Sequence, residues 1–172
     1  MFKAVLFALL AANAASFAFA GSASKALDAC AWLLLLVLFE AETRFAVPLA
    51  RGGRRLALRA LRLAAAAGVI AATVGYIFEN NALDAANSLL WIAMVVLLEV
   101  EVRRPHLAQR AQRTLSVIAL SLYAGLALLV FMWAWRGDWF DAYDALLWLF
   151  AFATLELGVR AKAPIAADAM AR

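Results

Sequence analysis

The chain has 172 residues, of which 67% are hydrophobic and 16% charged, and its formal net charge is +4. Soluble domains carry roughly half apolar residues, so this composition excludes a water-soluble fold and points to a bilayer as the solvent. The basic balance does not indicate nucleic acid, because the arginines gather in short stretches between long apolar runs and not along a soluble face.

The first apolar run covers about 4–24. Met1-Phe2-Lys3 ahead of it and Ala18-Phe19-Ala20 before Gly21 give it the outline of a cleavable secretory signal. It is longer than the roughly 7–15 apolar residues of such a signal, and a sequence repeat needs it as a partner, so it is read as a retained first crossing. A second run covers about 26–43 and leads into RFAVPLARGGRRLALRALR, where Pro48 stops a helix and Gly52 and Gly53 allow a turn, which predicts a loop. The third run is 63–78, and a short connection at 79–85 leads to the fourth, 86–102. RRPHLAQRAQR follows, with Pro105 in the same stopping role, then a fifth run at 115–135, a short connection at 136–141 and a sixth run at 142–159.

A helix needs roughly 17–25 residues to span the hydrocarbon core, so six crossings are predicted. The runs are continuous and rich in Ala and Leu, without the alternation of an outer-membrane strand, and helices satisfy their own backbone polar groups in lipid. Of the 16 lysines and arginines, all but Lys25 and Arg136 fall on one side of such a topology. The positive-inside rule then puts both termini in the cytoplasm and the chain in the cytoplasmic (inner) membrane. The six tryptophans, Trp32, Trp91, Trp133, Trp135, Trp139 and Trp148, fall toward the opposite face, where headgroup contact is expected.

Superposing Asp28, Asn87 and Asp144 brings three more sets into register: Trp32, Trp91 and Trp148; Glu40, Glu99 and Glu156; Arg44, Arg103 and Arg160. The copies lie 59 and 57 residues apart, the period of a helical hairpin. Phe17, Tyr76 and Trp133, followed by Gly21, Asn80 and Gly137, match in the preceding helices. The expected fold is an all-α integral membrane protein with six transmembrane helices, arranged as three tandem hairpins with approximate three-fold pseudo-symmetry. One transmembrane domain over 1–163 holds hairpins at about 1–47, 54–105 and 112–161, and 164–172 forms a short cytoplasmic tail. Ala64 to Gly68, then Ala71, Ala72 and Gly75, form a run of small residues that predicts a closely packed, buried helix interface.

Candidate functional residues follow from the repeat. Between the Asp or Asn and the Glu of each copy lie 11 uncharged residues, only about 16 Å of helix, so Glu40, Glu99 and Glu156 reach the cytoplasmic edge of the hydrocarbon. Arg44, Arg103 and Arg160 stand at i+4, on the same helix face and near the helix C-terminus, where each answers its acid. Either these pairs close the helix ends, or the glutamates face a shared cavity and bind or relay a cation or proton. Glu42 and Glu101 add a second acid in two copies, but two residues turn a helix by about 200°, so they do not share a face with the first. Asp28, Asn87 and Asp144 are predicted as helix caps at the periplasmic ends. The other reading of these three is a polar mouth, with Glu79, Asp84, Asp138 and Asp141 attracting cations.

Arg51, Arg55, Arg59 and Arg62 form one helical stripe suited to anionic lipid headgroups. Thr73-Val74-Gly75-Tyr76 has the opening residues of a potassium-channel filter, but Ile77 stands where a glycine continues one, and Tyr76 is read as an interfacial anchor. Cys30 is the lone cysteine and His106 the lone histidine, which excludes an intrachain disulfide, a histidine-rich zinc site and a haem held by two histidines. Cys30 is read as a small packing residue. No catalytic motif is present, and no cofactor, metal or nucleic acid is expected. The expected partners are the lipid bilayer and either a second copy or another membrane protein. The leading functional expectation is a small transporter or channel-like protein for a cation, proton or small polar solute. The alternative is a non-catalytic accessory or scaffold subunit of a membrane complex.

Overall fold

The structure, a computed structural model, describes residues 2–44, 53–104, 106 and 110–170, and the side chains of 4–42, 53–101, 104, 106 and 110–154. Among these residues there are six long helices and no strand: α1 (Phe2–Ala20), α2 (Ala23–Arg44), α3 (Gly53–Phe78), α4 (Ala82–Arg103), α5 (Gln112–Arg136) and α6 (Trp139–Met170). Three of them are long and apolar enough to cross a bilayer, namely α3, α4 over Ala82–Glu101, and α5, while α1 offers a shorter apolar stretch, Ala4–Ala20. Helix α2 is long enough but carries Lys25, Asp28, Glu40 and Glu42 near its two ends, which leaves a short uncharged centre.

The helices run well beyond the apolar runs in two places. Residues 53–62, expected in a loop, are the opening turns of α3, because Leu, Ala and Arg are strong helix formers whatever their hydropathy. Pro48 and Gly52 lie outside the described residues. At the far end, α6 continues as helix to Met170, through the segment expected as a tail.

Two of the reversals are built alike. After α3, Asn80 takes a left-handed φ of 56°, Asn81 N donates to Tyr76 O at 2.9 Å and Asn80 N to Ile77 O at 3.2 Å. After α5, Gly137 takes a φ of 86°, Asp138 N donates to Trp133 O at 2.9 Å and Gly137 N to Ala134 O at 3.2 Å. Both are Schellman closures, which satisfy the last carbonyls of a helix and turn the chain at one left-handed residue.

The chain divides into two compact units. The larger, 11–125, holds the end of α1, all of α2 to α4 and the start of α5. Within it α2 packs along α3 more extensively than any other described pair, and α3 packs on α4. The small-residue run explains this closeness. A Cβ added at Gly68 would lie 3.2 Å from Ala31 Cβ, and one added at Gly75 would overlap Ser24 Oγ. Ala65, Val69, Ala72 and Tyr76 continue the same buried stripe, whereas Ala64, Ala67 and Ala71 face outward, so only one face of the run is an interface. On the other side of α4, Gly125 of α5 approaches Leu90. The smaller unit, 1–10 with 126–172, buries Leu6, Leu10, Leu129, Trp133, Ala145 and Trp148.

Large apolar side chains remain outside after this packing. Phe78 is 81% exposed, Leu120 71% and Phe131 61%, and Ile70, Val96, Val117 and Phe150 are exposed as well. Soluble monomers rarely show contiguous apolar surface beyond a few hundred Å², whereas acyl chains are a suitable solvent for it. The tryptophans correct one expectation. Trp32, Trp91, Trp133 and Trp148 are buried in the protein, so only Trp135 and Trp139 are exposed for headgroup contact.

Candidate functional site

The early turns of α2, the last turns of α3 and the first turns of α4 bring ten polar residues together in the larger unit. Each helix contributes because its polar residues stand three or four apart, and so on one face: Ser24 with Asp28, Thr73 with Tyr76, and Asp84 with Ser88. The Asn80 closure folds α4 back beside α3, and the small residues of α3 let α2 come close enough for hydroxyl-to-carboxylate contact.

The inner layer centres on Asp28. Tyr76 OH donates to its Oδ2 at 3.3 Å, and Ser88 Oγ reaches its Oδ1 at 3.5 Å. Ser88 is fully buried, and its hydroxyl lies 2.7 Å from Thr73 Oγ1. Thr73 also reaches Val69 O at 2.8 Å. Thr73 and Ser88 together own two protons, while Val69 O, Asp28 Oδ1 and one of the two hydroxyl oxygens offer three places to put them. With Thr73 donating to Val69, Ser88 donates either to Thr73 or to Asp28; with Thr73 donating to Ser88, Ser88 is free to donate to Asp28. The hydroxyl chain therefore has alternative proton arrangements. One turn deeper, the Trp32 and Trp91 rings meet with centroids 6.5 Å apart and planes tilted by 59°.

The outer layer is ionic. Ser24 Oγ donates to Glu79 Oε1 at 2.6 Å and Ser22 Oγ to Glu79 Oε2 at 2.9 Å, tying the turn after α3 to the start of α2. Lys25 Nζ lies 3.3 Å from Asp84 Oδ2 and 5.7 Å from the centre of the Phe17 ring. Asn81 donates to the same Asp84 oxygen and caps α4, its Oδ1 accepting from Asp84 N at 3.4 Å.

The Ser24 and Ser22 hydroxyls hold the Glu79 carboxyl below the usual carboxylate range. A carboxyl depressed in the folded state adds stability above its unfolded value and loses that contribution as pH falls through the folded one. Acidification below the ordinary glutamate value is thus expected to weaken the clamp between Glu79 and α2. Glu79→Gln should flatten that part of the curve of melting temperature against pH in detergent. Curves of the same slope for the two proteins would show that the clamp carries no pH dependence.

The residues singled out in the sequence are placed as follows. Asp28, Asn87 and Asp144 are each the sixth residue of their helix, so none is the cap expected of it, and the capping side chain of α4 belongs to Asn81. Asp28 joins the cluster, Asn87 lies one residue before Ser88, and Asp144 sits in the smaller unit. Among the described residues no donor reaches the buried Asn87 Oδ1. Tyr76, expected as an interfacial anchor, is only 3% exposed, and Cys30, expected to be packed, is exposed. Glu79 and Asp84 of the expected polar mouth join the outer layer, while Asp138 and Asp141 belong to the other unit.

At the opposite helix ends Glu40 is half-buried and Glu99 exposed, and Arg44 and Arg103 are the last residues of α2 and α4. The side chains of Arg44, Arg103, Glu156 and Arg160 lie outside the described residues, so the four-residue spacing to each acid is a property of the helical backbone there. Arg62 of α3 pairs with Glu42 of α2, a link between helices that their separate places in the sequence do not announce. Of this cluster the expected polar mouth already held Asp28, Glu79 and Asp84, while Ser22, Ser24, Thr73 and Ser88, which carry no charge, were missed. Their one legible signal was the three- or four-residue spacing of polar groups on three different helices.

No family model matches the chain, and neither a curated protein nor a solved structure matches it.

Proposed function

We propose that this chain is a multi-pass inner-membrane protein that passes a proton or a small cation through the Asp28 cluster. In this reading all six helices cross the bilayer as three pseudo-symmetric hairpins, and both termini face the cytoplasm. The polar cluster then opens toward the periplasmic side, and Glu40, Glu99 and Glu156 with Arg44, Arg103 and Arg160 stand at the cytoplasmic edge. The single observation carrying the reading is the contact of Asp28, half-buried near the start of α2, with the hydroxyls of Tyr76 of α3 and Ser88 of α4. An ionisable group at such a place is costly unless function retains it. The Thr73–Ser88 pair gives Asp28 donors that can reorient, as a relay requires.

A second reading, an accessory or scaffold subunit that moves nothing, draws on the outer layer. Lys25 with Asp84, and Glu79 with two serines, are mutually satisfied and hold three helices together, as interhelical polar glue does. Flux separates the two. Purified protein in liposomes loaded with a pH-sensitive dye, or with a sodium- or potassium-sensitive dye, should dissipate the corresponding imposed gradient faster than empty liposomes. Asp28→Asn keeps the acceptor oxygen and the volume but not the titrating charge, and is expected to return the rate to the empty-liposome level. Wild-type protein that moves none of the three ions would favour the scaffold.

A further inference from the structure

The opening turns of α3 carry a feature the Asp28 cluster does not use. From Gly53 to Phe78 the helix is unbroken, yet its charge is confined to Arg54, Arg55, Arg59 and Arg62, after which Leu63 to Phe78 holds no charged residue. That apolar part is 16 residues, about 24 Å of helix. The last arginines therefore stand where α3 enters its apolar length. At about 100° per residue, Arg55, Arg59 and Arg62 fall within roughly 60° of one another on the helix surface, and Leu56 and Leu63 lie just beside them. Both leucines point outward, 72% and 71% exposed, and the arginines are exposed with them. Arg62 is held by Glu42 of α2, which fixes the stripe against its neighbour. Among the described residues no carboxylate pairs with Arg55 or Arg59.

We infer that Arg55 and Arg59, with Leu56 and Leu63, form a binding site for an anionic phospholipid. The two guanidiniums stand one turn apart and present planar donor forks suited to the oxygens of a phosphodiester. Leu63, one turn past Arg59 at the head of the apolar part, lies where an acyl chain of the same molecule would descend along α3, and Leu56 adds apolar surface between the two arginines. Charge and apolar surface meet at one level of one helix, and an anionic lipid has its own charge and apolar chains joined in that order. A soluble anion would use the arginines and leave the leucines in water. The inference concerns a different end of the molecule from Asp28 and does not depend on ion flux.

The test uses the full chain in bilayers of phosphatidylcholine with spin-labelled phosphatidylglycerol or spin-labelled phosphatidylcholine as probe. The immobilised fraction of each gives their relative association with the protein. Wild-type protein is expected to prefer phosphatidylglycerol by about fivefold, the scale of an arginine at an anionic surface. Arg55→Gln with Arg59→Gln should reduce the preference toward parity, Arg55→Lys with Arg59→Lys should keep only part of it because an ammonium supplies the charge without the fork, and Arg110→Gln with Arg113→Gln should keep most of it. No preference in the wild type, or an equal preference in the glutamine variant, would overturn the site. So would complete displacement of the phosphatidylglycerol by inorganic phosphate at physiological concentration, which would assign the arginines to the free ion.

Discussion

Lys25→Met is expected to lower stability by about 3 kcal/mol, near the low end for breaking a buried ion pair. The loss arises less from the attraction removed than from what is left behind. Asp84 has 8% of its side chain exposed and Lys25 only 20%, so without the ammonium the carboxylate keeps Asn81 as a donor but loses its counter-charge. Methionine keeps most of lysine's apolar stem but ends one atom short of the ammonium, so the packing of the stem is retained while the ion pair and the cation–π contact with Phe17 are lost. The companion variant, Lys25→Met with Asp84→Leu, removes both charges and should lose clearly less than the two single changes added together. Unfolding in mixed detergent micelles reads all four proteins. Additive losses would mean that Lys25 and Asp84 do not support one another.

Gly75→Ala should cost about 2 kcal/mol although alanine is the better helix former. The helical gain is about 1 kcal/mol, and overpacking of a tight interface costs about 3 kcal/mol at the upper end of its usual range. The upper end applies because the new methyl would overlap Ser24 Oγ and then meet Ser24 Cβ at 3.1 Å, so α2 itself must move. Displacing Ser24 also breaks its bond to Glu79, which couples the packing of α2 on α3 to the outer polar layer. Ser24→Ala added to Gly75→Ala removes the first colliding atom and should recover part of the loss. Gly53→Ala meets no atom within 4 Å and should change stability little. A Gly75→Ala protein as stable as the wild type would mean that the α2–α3 approach is looser than the structure has it.

Helix content was legible in the sequence because apolar runs bounded by Pro, Gly and arginine leave few other solutions in lipid. The start of α3 was not, since hydropathy marks where a helix enters apolar surroundings and Arg54 to Arg62 are helical before that point. Asp28 stood out because it is charged, but its role did not. A cap and an acceptor for neighbouring helices look alike until the helix start is known, and α2 begins five residues earlier, at Ala23. Tyr76 was likewise misplaced, because an aromatic hydroxyl near a helix end suits a headgroup as well as a buried partner, and the carboxylate it meets lies 48 residues away. Pairings across helices, such as Arg62 with Glu42 and Ser24 with Glu79, depend on which faces meet, and one helix's periodicity carries no information about another's.

Whether the Asp28 cluster and the arginine stripe stand at opposite faces of a bilayer can be measured directly. With exposed Cys30 replaced by alanine, single cysteines at exposed positions 55, 80 and 110 report on the beginning of α3, the α3–α4 turn and the segment after α4. In sealed right-side-out vesicles, a membrane-impermeant maleimide should label Asn80→Cys, and should reach Arg55→Cys and Arg110→Cys only after the vesicles are opened. Labelling of all three from one side would remove the crossings of α3 and α4, and with them a membrane route through Asp28.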